Sequence, residues 1–216
     1  MAELLPLDPD QLLTTTRSVR KRLDYSRPVP IEVIREALEV ALQAPSGSNV
    51  QGWHWIVLTD PDKRKAVADY YAESFDGYRR SAGYAGRQAG YEGDRAETQQ
   101  RVASSAEYLA ETMAECPVLI IGAIQAGEEL PRGNQAGLWG SLLPAAWSLQ
   151  LALRARGLGS AWTSLHLKHE KAIAELLGMP ADVRQGVLLP VAYTKGTDFK
   201  LAPRQPLDTV LHVNSW

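Results

Sequence analysis

Cysteine is nearly missing from this chain of 216 residues, with Cys116 the only one. A single thiol forbids any intrachain disulfide and suits a reducing compartment. The chain does not need such a staple: at 23.7 kDa it exposes roughly 34,000 Å² unfolded and roughly 10,000 Å² folded, so about seven-tenths of its surface can be buried. An excess of charge of one sign is lacking too. Lys and Arg number 23 against 25 Asp and Glu, a formal charge of −2, which argues against nucleic acid or an anionic membrane as the main partner. Long apolar runs do not occur. Val118–Ile124 is far too short to span a bilayer, and Leu138–Leu153 is interrupted by Ser141, Pro144, Ser148 and Gln150. The first residues lack the basic and apolar segments of a secretory signal. No internal repeat, low-complexity tract or Pro/Gly/Ser linker divides the chain. With 45% hydrophobic and 22% charged residues, the composition is that of an ordinary globular protein. A soluble, cytoplasmic protein of one domain spanning residues 1–216 is expected.

Several catalytic signatures are missing as well. There is no Walker A sequence, and no G-x-S-x-G elbow for Ser/His chemistry. Gly157-Leu158-Gly159-Ser160-Ala161-Trp162 resembles half a dinucleotide fingerprint, but it follows a helix and opens a strand, so a helix C-cap is the better reading. His166 and His169 are three apart without a further His or Cys nearby to complete a zinc set, which makes them surface or capping residues. Cys116, before Pro117 at the mouth of an apolar strand, belongs to the core.

What the chain does contain is a mixed helix and strand pattern. Asp8-Pro9 starts a helix over 8–16, and Pro30 opens another in which Ile31, Ile34, Leu38 and Leu42 recur at helical spacing. Trp53–Leu58 reads as a strand, and Asp60-Pro61 starts a third helix. Residues 74–95 mix five glycines with tyrosines and arginines and read as a mobile surface excursion, a lid. A helix over 96–115 and a strand over Pro117–Ile124 follow. Residues 135–156 form a helix with hardly a polar face, to be buried centrally or in a subunit contact, and kinked at Pro144. Strands over 159–165 and 186–193 flank a short helix near 169–177. The tail, 195–216, has no core of its own and must lie on something. The order is not regular βαβ alternation, so an α+β layer fold is expected.

Two segments and one residue stand out chemically. In Thr16-Arg17-Ser18-Val19-Arg20-Lys21-Arg22, Arg17 and Arg20 share a face with the Ser18 hydroxyl beside them. Two guanidinium forks and a hydroxyl are what a phosphate dianion requires, although the commoner meaning of such a run is a solvated basic patch. Ala44-Pro45-Ser46-Gly47-Ser48-Asn49-Val50-Gln51 offers hydroxyls, amides and free backbone N–H groups that suit a polar heterocycle or a ribityl chain; an ordinary turn uses the same residues. Arg204, held between Pro203 and Pro206, is preorganised to add a charge.

These pieces, in this order and over about residues 12–210, resemble the FMN-dependent nitroreductase family. The resemblance implies an α+β homodimer with a mostly antiparallel sheet, two FMN sites at the subunit interface, and a tail, 195–216, that embraces the partner. Arg17, Ser18, Arg20 and Arg204 would take the phosphate, ribityl and N1/C2-carbonyl edge. Pro45, Ser46 and Gly47 would line the isoalloxazine, with Asn49 and Gln51 close by, and Thr163, Ser164 and Leu165 would face N5 and the C4 carbonyl. The implied activity is NAD(P)H-dependent reduction of nitroaromatics, quinones or similar acceptors by ping-pong hydride transfer, with no catalytic side chain and no metal; Arg20 gives electrostatic support. An FMN-storing protein with little turnover is the alternative. Many family members carry basic residues where this chain has Thr16 and Ala202, so Lys200 or Arg22 is expected to compensate.

Overall fold

The computed structural model describes residues 2–87 and 92–216. Asp8 caps the first helix, α1 (Pro9–Thr15). Its carboxylate accepts from the Gln11 N–H at 2.7 Å, and the Gln11 side chain accepts from the Asp8 N–H at 3.0 Å, so two orphan donors of the helix start are satisfied reciprocally. A two-residue strand, β1 (Leu23–Asp24), leads to α2 (Ile31–Ala41) and β2 (Trp53–Leu58). The buried stripe of α2 is Val33, Ile34, Ala37 and Ala41, while Ile31 and Leu42 face outward. Of the series Ile31, Ile34, Leu38 and Leu42, the two middle members thus pack in the core and the two end members do not. The alanines of α2 pack with Ala146, Leu149, Ala152 and Leu153 of α5 (Ala136–Ala155), and small side chains there allow close approach.

Asp60 caps α3 (Pro61–Arg80), accepting from the Lys63 N–H at 2.9 Å. The helix then runs on to Arg80, and α4 occupies Gly93–Thr112. Residues 74–80 of the expected excursion are thus the end of α3 and 93–95 the start of α4, with a 3-10 turn at Ala85–Arg87 between them; residues 88–91 lie outside the described residues. The reason is aromatic packing. Tyr71, Phe75 and Tyr84 are buried, and the Phe75–Tyr78 and Tyr78–Tyr84 rings meet edge-on at 5.9 and 5.4 Å. Tyr71, Phe75 and Tyr78 stand at helical spacing, and their burial outweighs the roughly 1 kcal/mol that Gly77 costs a helix.

β3 (Val118–Gln125), α5, β4 (Leu158–Ser160), α6 (Glu170–Leu177) and β5 (Val183–Thr194) complete the sequence of elements. The sheet is antiparallel in every pairing, in the order β1-β5-β3-β2, with β4 also paired to β5. Its two faces are both covered. Leu119 and Ile121 of β3, with Leu188 and Ala192 of β5, pack under α3 and α4, whereas Val118, Ile120, Val187, Leu189 and Val191 pack under α2 and α5. Period-two alternation thus feeds two cores, which is why β3 reads as a continuous apolar run. The α+β layering expected from the sequence is the one observed. One detail differs: β4 ends at Ser160, with an isolated bridge from Thr163 to Leu188 beyond it.

The tail is held at its root. Arg22 donates to the carbonyls of Lys195 and Asp198 at 3.0 and 2.7 Å, Arg154 donates to that of Thr197 at 2.8 Å, and both guanidinium groups lie over the Phe199 ring. Past Phe199 the large apolar residues, from Leu201 to Trp216, are exposed. Among the described residues no helix is long and apolar enough to cross a membrane, and no cluster of His, Cys, Asp or Glu is placed to hold a metal ion.

Candidate functional site

The basic turn is stitched to the sheet. Ser18 bridges to Ser160, and the Val19 N–H donates to the Ser160 carbonyl at 2.8 Å. This approach needs Gly159: a Cβ there would lie 2.7 Å from Thr194 Cγ2 and 3.0 Å from Val19 Cβ. Gly157, at φ +75°, follows the C-terminus of α5 in the left-handed conformation that favours glycine. The glycine pair therefore caps a helix and admits a crossing backbone, as the capping reading requires. Ser160 Oγ in turn accepts from Gln150 of α5 at 2.9 Å.

The turn presents Ser18 exposed and Arg17 and Arg20 half-buried. Arg20 reaches α4, donating to Ser105 Oγ at a long 3.4 Å, and sits near Tyr71 and Tyr78; burial lowers its pKa below the usual arginine value. Among the described residues no carboxylate pairs with Arg17 or Arg20. A partly desolvated guanidinium with most of its donors unspent has the chemistry to receive an anion. Lys21 donates to Ser104 Oγ of α4 at 2.7 Å. Arg22, one of the two residues expected to compensate for Thr16 and Ala202, is committed to the tail root, and Lys200 is exposed on the tail.

The Pro45–Gln51 loop is tied to α5, because the Gly47 N–H donates to Ser141 Oγ at 3.0 Å. Within it the Gln51 N–H donates to Ser46 Oγ at 3.1 Å and Gln51 Nε2 to Asn49 Oδ1 at 3.0 Å. Ser48, Asn49 and Gln51 hold φ values of 49°, 53° and 53°. Left-handed L-residues cost roughly 1–2 kcal/mol each, less for Asn, and such strain gathers where a surface is shaped for a ligand.

Thr163 spends its polar groups internally: its N–H and Oγ1 both donate to the Leu188 carbonyl, at 3.1 and 2.7 Å. Ser164 is exposed, and Leu165 is half-buried at the start of a 3-10 turn. The bridge partner of Ser18, Ser160, lies three residues before Thr163, so one short segment joins the basic turn to Thr163–Leu165. The Pro45–Gln51 loop stands elsewhere along α5. Its anchor Ser141 and the Ser160 anchor Gln150 are nine residues apart, about 13 Å at 1.5 Å per residue. Arg204 is exposed on the tail and donates to the neighbouring Pro203 carbonyl at 3.1 Å.

One residue of this region departs from expectation. His166 is not at the surface: it is fully buried, neither imidazole nitrogen has a partner, and burial lowers its pKa to about 4. It is a neutral core residue, and only its partner in the sequence pair, His169, keeps the expected place. His169 precedes α6, stacks on Tyr70 at 5.0 Å and lies 3.6 Å from Glu73. Cys116 is buried as expected, and burial lifts its thiol to about 12, which leaves no thiolate for nucleophilic work.

The sequence model of the nitroreductase family matches residues 13–193. The chain belongs to the nitroreductase family. Among curated relatives, rat iodotyrosine deiodinase 1 is 28% identical over 209 residues, covering 93% of this chain and 67% of the deiodinase. A 4-nitrobenzoate reductase from Nocardioides is 43% identical, but over 31% of this chain and 26% of its own. Among solved structures, oxidized iodotyrosine deiodinase bound to FMN and 3-iodo-L-tyrosine superposes with TM-score 0.68 at 23% identity, covering 95% of this chain and 98% of that one. The FMN-dependent nitroreductase NfnB from Mycobacterium smegmatis, in complex with NADPH, gives TM-score 0.68 at 21% identity, covering 95% and 97%. The nitroreductase fold, a flavin-binding scaffold in both of these neighbours, is therefore the fold of this chain.

Proposed function

We propose that this nitroreductase-family chain is an FMN-dependent oxidoreductase that draws hydride from NAD(P)H and passes electrons to nitroaromatic, quinone or similar acceptors, as a homodimer. The observation that carries the reading is the basic turn: Arg17 and half-buried Arg20 stand without carboxylates beside an exposed Ser18, one bridge away from the Thr163–Leu165 segment. That donor set suits a terminal phosphate monoester and an anionic ring edge. FMN, when bound, supplies hydride acceptance and donation at N5.

Every further role falls to the chain. Arg17, Ser18 and Arg204 hold the phosphate, and Arg20 supports negative charge at the N1/C2-carbonyl edge. With the Thr163 hydroxyl turned to Leu188, contact at N5 and the C4 carbonyl falls to Ser164 and the backbone at Leu165. Pro45, Ser46, Gly47, Asn49 and Gln51 line the ring. The separation of that loop from the basic turn along α5 supports a site shared by two chains, as do the exposed Trp147 on α5 and the exposed tail. No side chain needs to act as acid or base.

The test begins with the purified protein, which should release FMN and not FAD on denaturation. Arg204→Ala should weaken flavin binding by roughly 1.5–3 kcal/mol, the worth of a hydrogen bond to a charged group. Recovery of FAD, or unchanged affinity in the variant, would overturn the assignment. Steady-state oxidation of NADH and NADPH with a quinone or nitroaromatic should give parallel double-reciprocal lines; failure to turn over any acceptor would favour flavin storage. The deiodinase relatives, two of them matched over 93% of this chain, favour a second acceptor class, halogenated phenols. Release of iodide from 3-iodotyrosine under reducing conditions would separate it from nitro reduction.

A further inference from the structure

Between α3 and α4 lies a cavity of about 580 Å³, lined by Arg79, Arg80, Arg87, Gln100, Ser104 and Glu107 among others. Nothing in the proposed flavin chemistry uses it. Its charge is unusual. Arg79 makes an exposed i,i+3 pair with Asp76 at 3.5 Å, a contact of small worth. Arg80 and Arg87 have no carboxylate partner among the described residues. Arg87 instead donates to the Arg80 carbonyl at 3.1 Å, which holds the two cationic residues together across the turn at Ala85–Arg87. The one acid in the lining, Glu107, accepts from the Tyr84 hydroxyl at 2.6 Å and keeps its charge, so three arginines face one carboxylate. The remaining excess of positive charge repels itself, and an oxyanion relieves that repulsion while matching the planar guanidinium fork.

The cavity is also joined to the candidate flavin site. Ser104, in its wall, accepts from Lys21 at 2.7 Å, and the next residue, Ser105, accepts from Arg20 at 3.4 Å. The phosphate turn and the arginine cavity thus share one stretch of α4. A volume of about 580 Å³ exceeds what a lone inorganic anion needs and falls within the roughly 300–1,000 Å³ of small-molecule sites.

We infer that this cavity is a subsite for an oxyanion carried by the reacting small molecule, a carboxylate or a phosphate monoester, with Arg80 and Arg87 as its specificity-determining residues. The inference rests on the oxidoreductase reading above. Two molecules of that reaction can bring the anion: the 2′-phosphate of NADPH, or a carboxylate on the acceptor.

The test is an Arg80→Gln/Arg87→Gln double variant of the FMN-loaded protein. Both positions are exposed, so the fold should tolerate the change. Initial rates are measured with NADPH and with NADH against 1,4-benzoquinone, and with 4-nitrobenzoate and with nitrobenzene against NADH. One charged member of a pair should lose about tenfold or more in kcat/KM, carried by KM, while its uncharged counterpart stays within about twofold. A loss with NADPH assigns the 2′-phosphate; a loss with 4-nitrobenzoate assigns the acceptor carboxylate. Equal losses in both members of each pair, or none, overturn the inference. Calorimetric titration of wild type and variant with adenosine 2′,5′-bisphosphate and with 4-nitrobenzoate keeps the test independent of turnover. Binding that the variant loses supports the subsite, and binding that is equal or missing in both proteins refutes it. FMN release and NADH–benzoquinone turnover of the wild type report separately on the parent reading.

Discussion

Ser141→Ala is the sharpest probe of the loop at Pro45–Gln51. The loop holds three L-residues at positive φ, so its shape must be imposed from outside. Ser141 Oγ imposes it by accepting the Gly47 N–H at 3.0 Å from a position on α5 that is 9% exposed. Removing a neutral hydrogen bond of this kind costs roughly 0.5–1.5 kcal/mol. Gly47 is exposed, so its freed N–H is taken up by water and adds no desolvation penalty. If the ordered loop is part of the flavin site, the same free energy appears as an FMN dissociation constant raised by about 2- to 12-fold. The matching loss in melting temperature is small, about 2–4 °C per kcal/mol for a chain of this size. Titration of apoprotein with FMN, followed by quenching of flavin fluorescence, measures the first quantity, and thermal unfolding measures the second. An FMN affinity within twofold of wild type would show that the strained loop takes no part in holding the flavin.

Three other outcomes follow from the same geometry. Gly159→Ala places a Cβ 2.7 Å from Thr194 Cγ2 and 3.0 Å from Val19 Cβ; the overpacking should cost about 1–3 kcal/mol in urea unfolding and lower FMN affinity with it, because the basic turn moves. His166 has its folded pKa lowered to about 4 from 6.5, so the unfolded chain takes up the proton first as pH falls; stability is full above pH 6.5 and about 3 kcal/mol is lost by pH 4. His166→Leu should remove that slope in urea midpoints measured from pH 7 to 4, and a retained slope would refute the assignment. Arg20→Gln, saturated with FMN, should slow flavin reduction by NADH in stopped flow more than it alters the dissociation constant for the nucleotide, since the charge it meets develops only during reduction; a wild-type reduction rate would remove its role.

Local chemistry made much of the fold legible. Asp8-Pro9 and Asp60-Pro61 each combine a capping carboxylate with a proline at the first helical position, and both start helices. Trp53–Leu58 is bounded by Gly52 on one side and the Asp60 cap on the other, and its limits match the strand. What misled was phase and context. In α2 the series Ile31, Ile34, Leu38 and Leu42 held at its two middle members, while packing against α5 uses Val33, Ala37 and Ala41 beside them and leaves Ile31 and Leu42 exposed. Between 74 and 95 the glycines hid the helical spacing of Tyr71, Phe75 and Tyr78, the one available signal of a packed helix end. The burial of His166 had no local signal at all: it is set by the 3-10 turn at Leu165–His169 packing between α3 and β5.

The proposed site residues were legible as types and not as an assembly. Arg17, Ser18 and Arg20 stand out as a donor set that suits an anion, although a solvated basic patch uses the same residues. Their union with Thr163–Leu165 depends on a bridge to Ser160, more than a hundred residues away, that only Gly159 permits. Arg204 depends on a different device. Phe199, lying over the Arg22 and Arg154 guanidinium groups, fixes where the tail leaves the body, and Arg204 follows five residues later. At roughly 3.3–3.6 Å per extended residue, Arg204 can travel at most about 17–18 Å from that point. Arg22, under the same ring, is two residues beyond Arg20, so the clamp confines the last proposed phosphate ligand to the neighbourhood of the basic turns. The residues that follow, Leu207, Val210, Leu211 and Val213, are exposed and apolar, and in the proposed homodimer their burial on the partner would hold Arg204 within that reach of the proposed phosphate site.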